Sequence, residues 1–142
     1  MPHPAVRLVD VRDTALDVAE VLASLDDDAS GGVTLFVGRV RDHDGGHGVE
    51  GLDYVAHPTA QARLREVCEL VAARHDVHGV SAVHRVGTLA VGDLAVVVAT
   101  ASAHRGTAFE ASRDLIDTLK DQVPIWKHQA FDDGSEEWVG SP

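Results

Sequence analysis

Ten of the 12 cationic side chains in this sequence are arginine, and both lysines, Lys120 and Lys127, fall in one short segment, Leu119-Lys120-Asp121-Gln122-Val123-Pro124-Ile125-Trp126-Lys127-His128. An ammonium can be desolvated, lose its proton and serve as acid, base or nucleophile, whereas a guanidinium stays charged. The distribution points to a need for primary amines at these positions, with chance in a small sample as the alternative. Upstream, Ser102-Ala103-His104-Arg105-Gly106 lies where an apolar run gives way to a helical pattern. Free backbone N–H groups and the helix dipole favour an anion there, and His104 and Arg105 add charge-assisted donors. Arg39 and Arg41 share a face at the end of a third stretch, residues 32–42. All these cations sit at the ends of elements, so converging ends would give one cationic pocket. Spacing alone does not establish that convergence.

The elements that must position them follow from periodicity. Residues 6–11 alternate enough for a short first strand, and Asp13 or Thr14 is suited to cap a helix through Leu25. The acidic run Asp26-Asp27-Asp28 lacks the ligand spacing of a calcium loop and reads as a solvated turn. Residues 32–42, rich in Val with Phe36, predict a long, largely buried strand. The Gly-rich turn at 43–48 leads into a returning strand, 49–57; Asp42, His43, Asp44 and His47 lack the rigidity of a metal site and read as loop residues. Pro58 opens a helix to His75 with Leu64, Val67, Cys68 and Val71 on one stripe, which makes Cys68 a core residue. One or two strands fill 79–89, where His84 and Arg85 read as structural or surface residues. Residues 94–101 are apolar enough for a central strand covered on both faces. The last helix is predicted from Thr107, with Thr107 and Glu110 as a capping box, until Pro124 stops it; 125–131 then run extended.

Composition narrows the function classes. A net charge of −11 argues against broad binding to nucleic acid or acidic membranes, but not against a small anion held by local cations. With 142 residues, one domain is expected. No apolar run is long enough to span a bilayer, Met1-Pro2-His3-Pro4 lacks a signal-peptide pattern, and a cytoplasmic protein is expected. The single cysteine excludes an intrachain disulfide and a cysteine-built metal site.

Several stretches recur together in a known order. They are Phe36-Val37-Gly38-Arg39-Val40-Arg41-Asp42-His43, Val83-His84-Arg85-Val86-Gly87 with Gly92-Asp93, Ser102-Ala103-His104-Arg105 with Ala108-Phe109-Glu110-Ala111, and Leu119-Lys120 with Pro124-Ile125-Trp126-Lys127. With this set, from about residue 31 to 138, the chain resembles the large, catalytic subunit of molybdopterin synthase. The resemblance implies an α+β fold: a mixed α/β domain of the hammerhead type over residues 1–142, with an antiparallel-rich sheet and about three helices. It implies a homodimer that binds two copies of a small ubiquitin-like sulfur-carrier subunit. The carrier's C-terminal Gly-Gly thiocarboxylate would give sulfur to cyclic pyranopterin monophosphate, and two transfers would make the dithiolene of molybdopterin.

By the same resemblance, Lys120 and Lys127 are the catalytic amines. Arg39, Val40, Arg41, His104, Arg105, Lys120, Lys127, His128 and Gln129 line the substrate site, with no metal and no cofactor. This reading requires Arg41, Arg105, Lys120 and Lys127 to surround one cavity. The chain departs from the family's pattern at His128 and Gln129, where a basic residue and a carboxylate are usual. It departs again at Val55, in place of a glutamate, and in a tail, Gly140-Ser141-Pro142, without basic residues. The departures keep one alternative open, a non-catalytic module that docks a ubiquitin-like partner or holds an anionic pterin.

Overall fold

The computed structural model describes residues 2–44 and 46–139. Its elements run β1 (Val6–Arg12), α1 (Val18–Ser24), β2 (Gly32–Arg39), β3 (His43–Asp44), β4 (His47–Ala56), α2 (Ala60–Arg74), β5 (Gly79–Arg85), β6 (Gly87–Ala90), β7 (Leu94–Ser102), α3 (Arg105–Gln122), β8 (Ile125–Phe131) and β9 (Glu136–Val139). With three helices and mainly antiparallel strands, the class is α+β as expected.

One sheet has the order β1-β5-β7-β2, and the apolar run at its centre explains the layering. Successive side chains of a strand point to opposite faces. Val96 and Val98 of β7 enter a core with Leu64, Val67, Cys68 and Val71 of α2 and Ala111, Leu115 and Leu119 of α3. Val97, Ala99 and Ala101 enter a second core against Val21 and Leu25 on the α1 side. The strand is therefore covered on both faces, as its composition predicts. The second sheet, β3-β4-β8-β9 with β6 also on β4, joins the first through a small core of Val40, Leu52, Leu89 and Ala95.

Three local expectations are corrected. The first helix begins at Val18 rather than Asp13 or Thr14, because the Asp17 carboxylate accepts from the N–H groups of Ala19 and Glu20 and sets the start there. The last helix begins at Arg105, with His104 as a cap that makes no side-chain bond, so Thr107 and Glu110 lie inside the helix and form no capping box. The third correction concerns β2. Among the described residues it pairs only with β7 and forms an edge of its sheet, leaving Val33 49%, Leu35 38% and Phe36 41% exposed. Its apolar character is real, but its outward surface is uncovered within one chain.

The connection that matters most for the site is β7 into α3. Ser102 ends the strand, Arg105 begins the helix, and α3 runs back over β7 and β2. Thr34 and Thr100 both donate to the Ala108 carbonyl, at 2.9 and 2.8 Å, which fastens the start of α3 to the start of β2. A Cβ at Gly32 would lie 2.9 Å from the Arg105 nitrogen, so only glycine lets strand and helix approach this closely. The C-terminal end of α3 consequently lies toward the Arg39–Leu94 end of the β2–β7 pair.

Candidate functional site

At the junction of α3 and β8 the two lysines come together. Lys120 occupies the last turn of α3 and Lys127 lies within β8, opposite Tyr54 of β4. The Lys120 residue is exposed at the rim, yet its ammonium is held below the ordinary lysine pKa, first by desolvation and then by the positive charge of Lys127. Lys120 thus gives up its proton more readily than a solvated lysine does.

Beneath these amines lies His84, 2% exposed on β5, with its ring 5.0 Å from Tyr54 in an edge-to-face arrangement. Its Nδ1–H donates to the Arg85 carbonyl at 2.8 Å. Burial, reinforced by the Lys120 charge, lowers its pKa from 6.5 to about 4, so it stays neutral at physiological pH. This is the structural role expected for His84, and it keeps a further cation away from the lysines.

It also makes the fold acid-sensitive. Between the unfolded value of 6.5 and the folded value of about 4, the unfolded chain binds a proton at His84 that the folded chain does not. Stability therefore falls as pH drops through this window, by on the order of 3 kcal/mol in total. His84→Asn, which keeps a donor for the Arg85 carbonyl, flattens that acid limb in thermal unfolding followed from neutral pH downward. An unchanged limb would remove His84 as its cause.

Lys127 shares a cavity of about 50 Å³ with Arg39, Val40, Arg41, His43, Asp44, Leu52, Tyr54 and Gln129. Arg39 Nε donates to the Gly92 carbonyl at 3.3 Å. Arg41 is held more loosely, 3.6 Å from Asp44, with its side chain 74% exposed. Val40 lines the wall and is itself buried in the core between the sheets. Gln129 is 2% exposed and donates to Asp44. His128 does not join them. Alternation along β8 turns it to the other face, where it meets Glu136 at 3.6 Å and stacks on Trp138 with ring centroids 4.7 Å apart. In the hairpin, His43 is bound to Asp42 at 2.7 Å and Asp44 to Arg41 and Gln129. Val55 is exposed opposite Trp126, and the tail, residues 140–142, lies outside the described residues.

His104 and Arg105 lie elsewhere. They surround an open hollow with Gly31, Ala103 and Gly106 at the N-terminus of α3, where free helix N–H groups, the Arg105 guanidinium and the His104 imidazole suit an anion. From Arg105 to Lys120 the helix spans about 22 Å at 1.5 Å per residue. The strand beside it gives a similar separation, about 23 Å from Gly32 to Arg39. Within one chain, then, Arg41, Arg105, Lys120 and Lys127 do not surround one cavity. The cations form an amine end and an anion end, joined along β2 by an apolar groove that includes Leu35, Phe36, Phe109, Arg113 and Ile116.

Cys68 takes no part: it is fully buried, and burial pushes its thiol up to about 12. Sequence reasoning missed Tyr54, which stands across from Lys127 and against His84. The apolar/polar pattern of β4 gave no sign of it, because its role arises from pairing with β8.

A family model described as MoaE protein matches residues 11–122. Molybdopterin synthase catalytic subunit 1 of Mycobacterium tuberculosis is 41% identical over 139 residues, covering 97% of this chain and 92% of that protein. The crystal structure of molybdopterin synthase from Staphylococcus aureus superposes with a TM-score of 0.87 at 29% identity, over 94% of this chain and 97% of the other. A chain from a complex of subunits 1 and 2 of the molybdopterin-converting factor of Helicobacter pylori shares the fold, with a TM-score of 0.68 at 20% identity over 96% and 90% of the two chains.

Proposed function

The chain belongs to the MoaE family of molybdopterin synthase catalytic subunits, and from that premise we propose how its residues carry out sulfur transfer. The observation that carries the proposal is the meeting of Lys120 and Lys127 at the α3–β8 junction, close enough for one charge to depress the proton affinity of the other. The sulfur arrives as the C-terminal thiocarboxylate of a small ubiquitin-like carrier whose Gly-Gly tail reaches the lysines. The acceptor is cyclic pyranopterin monophosphate. Sulfur bonds to a side-chain carbon of the pterin, oxygen departs with a proton from a lysine, and hydrolysis of the acyl–sulfur bond returns the carrier as a carboxylate. Charge that develops on oxygen is stabilised by fixed cations. Two rounds give the dithiolene, and the chain's own buried Cys68 is not needed.

The anion end enters through a second copy of the chain. β2 is, among the described residues, an apolar edge strand, a surface suited to pairing with another strand. Antiparallel pairing of two β2 strands about a two-fold axis between Leu35 and Phe36 sets Gly32 of each opposite Arg39 of the other. Because Arg105 rests on Gly32, His104 and Arg105 of one subunit then face Arg39, Lys120 and Lys127 of its mate. The pterin phosphate is held by the first group while its side chain meets the second. This arrangement supplies the cavity that one chain lacks. The working enzyme is a homodimer with two carriers, and we place it in the cytoplasm; among the described residues no helix is long and apolar enough to cross a membrane.

Reconstitution tests the assignment. The purified chain, a thiocarboxylated carrier and cyclic pyranopterin monophosphate together yield a pterin that has gained two sulfur atoms by mass spectrometry. Binding of both components without sulfur gain would make the chain a docking module and overturn the catalytic reading.

A further inference from the structure

The cavity beside Lys127 is too small for a pterin. At about 50 Å³ it offers room for no more than one or two waters. Its cover is the β3–β4 hairpin, in which His43 pairs with Gly48 and Asp44 with His47. A buried side chain helps to tie that cover down. The Gln129 amide, on β8, donates to Asp44 Oδ2 at 2.5 Å and reaches Glu137 Oε1 at 3.4 Å. The other oxygen of Asp44 lies 3.6 Å from the Arg41 guanidinium.

A neutral amide at 129 is what lets a carboxylate dock here. A glutamate at that position would bring three carboxylates together, at 44, 129 and 137, and their mutual repulsion opposes the docking. We propose that Gln129 and Asp44 form a latch that holds the hairpin over Lys127 and sets Arg41 at the mouth of the site, so that Gln129 is a positioning residue and not a contact of the substrate. The latch must open for an anionic substrate to enter, and Arg41 is then released from Asp44 to meet it. This rests on Arg41 and Lys127 belonging to the reacting site proposed above.

The test separates the two readings. Trypsin cleavage after Arg41 reports the hairpin in the free protein, without any turnover. Gln129→Glu raises the cleavage rate about tenfold, because a charge-assisted hydrogen bond is replaced by repulsion. Asp44→Ala, a change in the hairpin that leaves β8 intact, gives a similar rise. In the double variant Gln129→Glu with Asp44→Asn, the new asparagine amide donates to the new carboxylate, and cleavage returns toward the wild-type rate. In the reconstituted reaction the Gln129→Glu variant shows a changed KM for the cyclic pterin with kcat nearly constant, and the double variant restores it. Wild-type cleavage in both single variants, or no rescue in the double variant, would overturn the latch. If the cleavage series behaves as stated but no variant or wild-type protein transfers sulfur, the catalytic reading fails and the latch stands.

Discussion

Lys120→Ala loses sulfur transfer by a factor of about a hundred to ten thousand, the range for removing a positioned acid–base group, and keeps its fold. The two halves of this expectation have separate physical grounds. Lys120 lies at the exposed rim of the last turn of α3, and the core face of that turn is made by Leu119 and Val123. Alanine is a strong helix former, so the loss of Lys120 costs little; its favourable interaction with the helix dipole is worth under about 1 kcal/mol. Chemistry has no such substitute, because no other lysine besides Lys127 exists in the chain. Lys120→Arg separates charge from proton transfer: a guanidinium restores the field but does not deprotonate near neutral pH. Activity in the arginine variant close to wild type would reduce Lys120 to an electrostatic role. Full activity in the alanine variant would end the assignment. The lowered pKa of Lys120 has a direct readout as well. With two lysines, a lysine-labelled NMR spectrum contains two side-chain signals, and Lys127→Ala moves the Lys120 titration upward because it removes a neighbouring positive charge.

Two inactive variants, mixed, regain activity. If each site takes Arg105 from one subunit and Lys120 from the other, an Arg105→Ala chain and a Lys120→Ala chain form a mixed dimer with one intact site and one doubly altered site. After subunit exchange at equal concentration, half the dimers are mixed, and about a quarter of the wild-type activity returns. The structural ground is the length of α3, which keeps Arg105 and Lys120 apart within any one chain. Recovery would not occur if every chain held a complete site, so a mixture as inactive as its components would refute the two-fold arrangement. Each variant alone must also be dimeric by sedimentation, which separates a failure of the site from a failure of assembly.

What the sequence makes legible here is local, and what it leaves dark is topological. The run in β7 is apolar at every position, and that pattern has one solution, burial on both faces. The stripe through Leu64, Val67, Cys68 and Val71 likewise fixes which side of α2 is inward. β2 has nearly the same composition as a buried strand, but composition does not say whether a strand's cover comes from its own chain or from another. The start of α1 was hidden because Asp17, placed between helical-looking residues, outcompetes Asp13 and Thr14 as a cap. The element ends that carry His104, Arg105 and Lys120, and the extended run after Pro124 that carries Lys127, were all visible. Which of those ends meet was not, since that depends on α3 running back along β7 and β2. Gln129 shows the same limit on a smaller scale: its place beside Lys127 in sequence is plain, while its bond to Asp44, 85 residues away, is made by the fold.

The exposed edge formed by β2 bears on how this protein tolerates change. In the two-fold arrangement, a strand that meets its own copy is altered twice by one mutation, and both alterations fall in the same small region near the axis. Leu35 and Phe36 must each suit a neighbour that changes whenever they do. Elsewhere in the chain a poor substitution is open to correction by a second change in a different residue. On this strand the residue and its environment are encoded by the same codons, so its apolar sequence is held by self-complementarity as much as by burial.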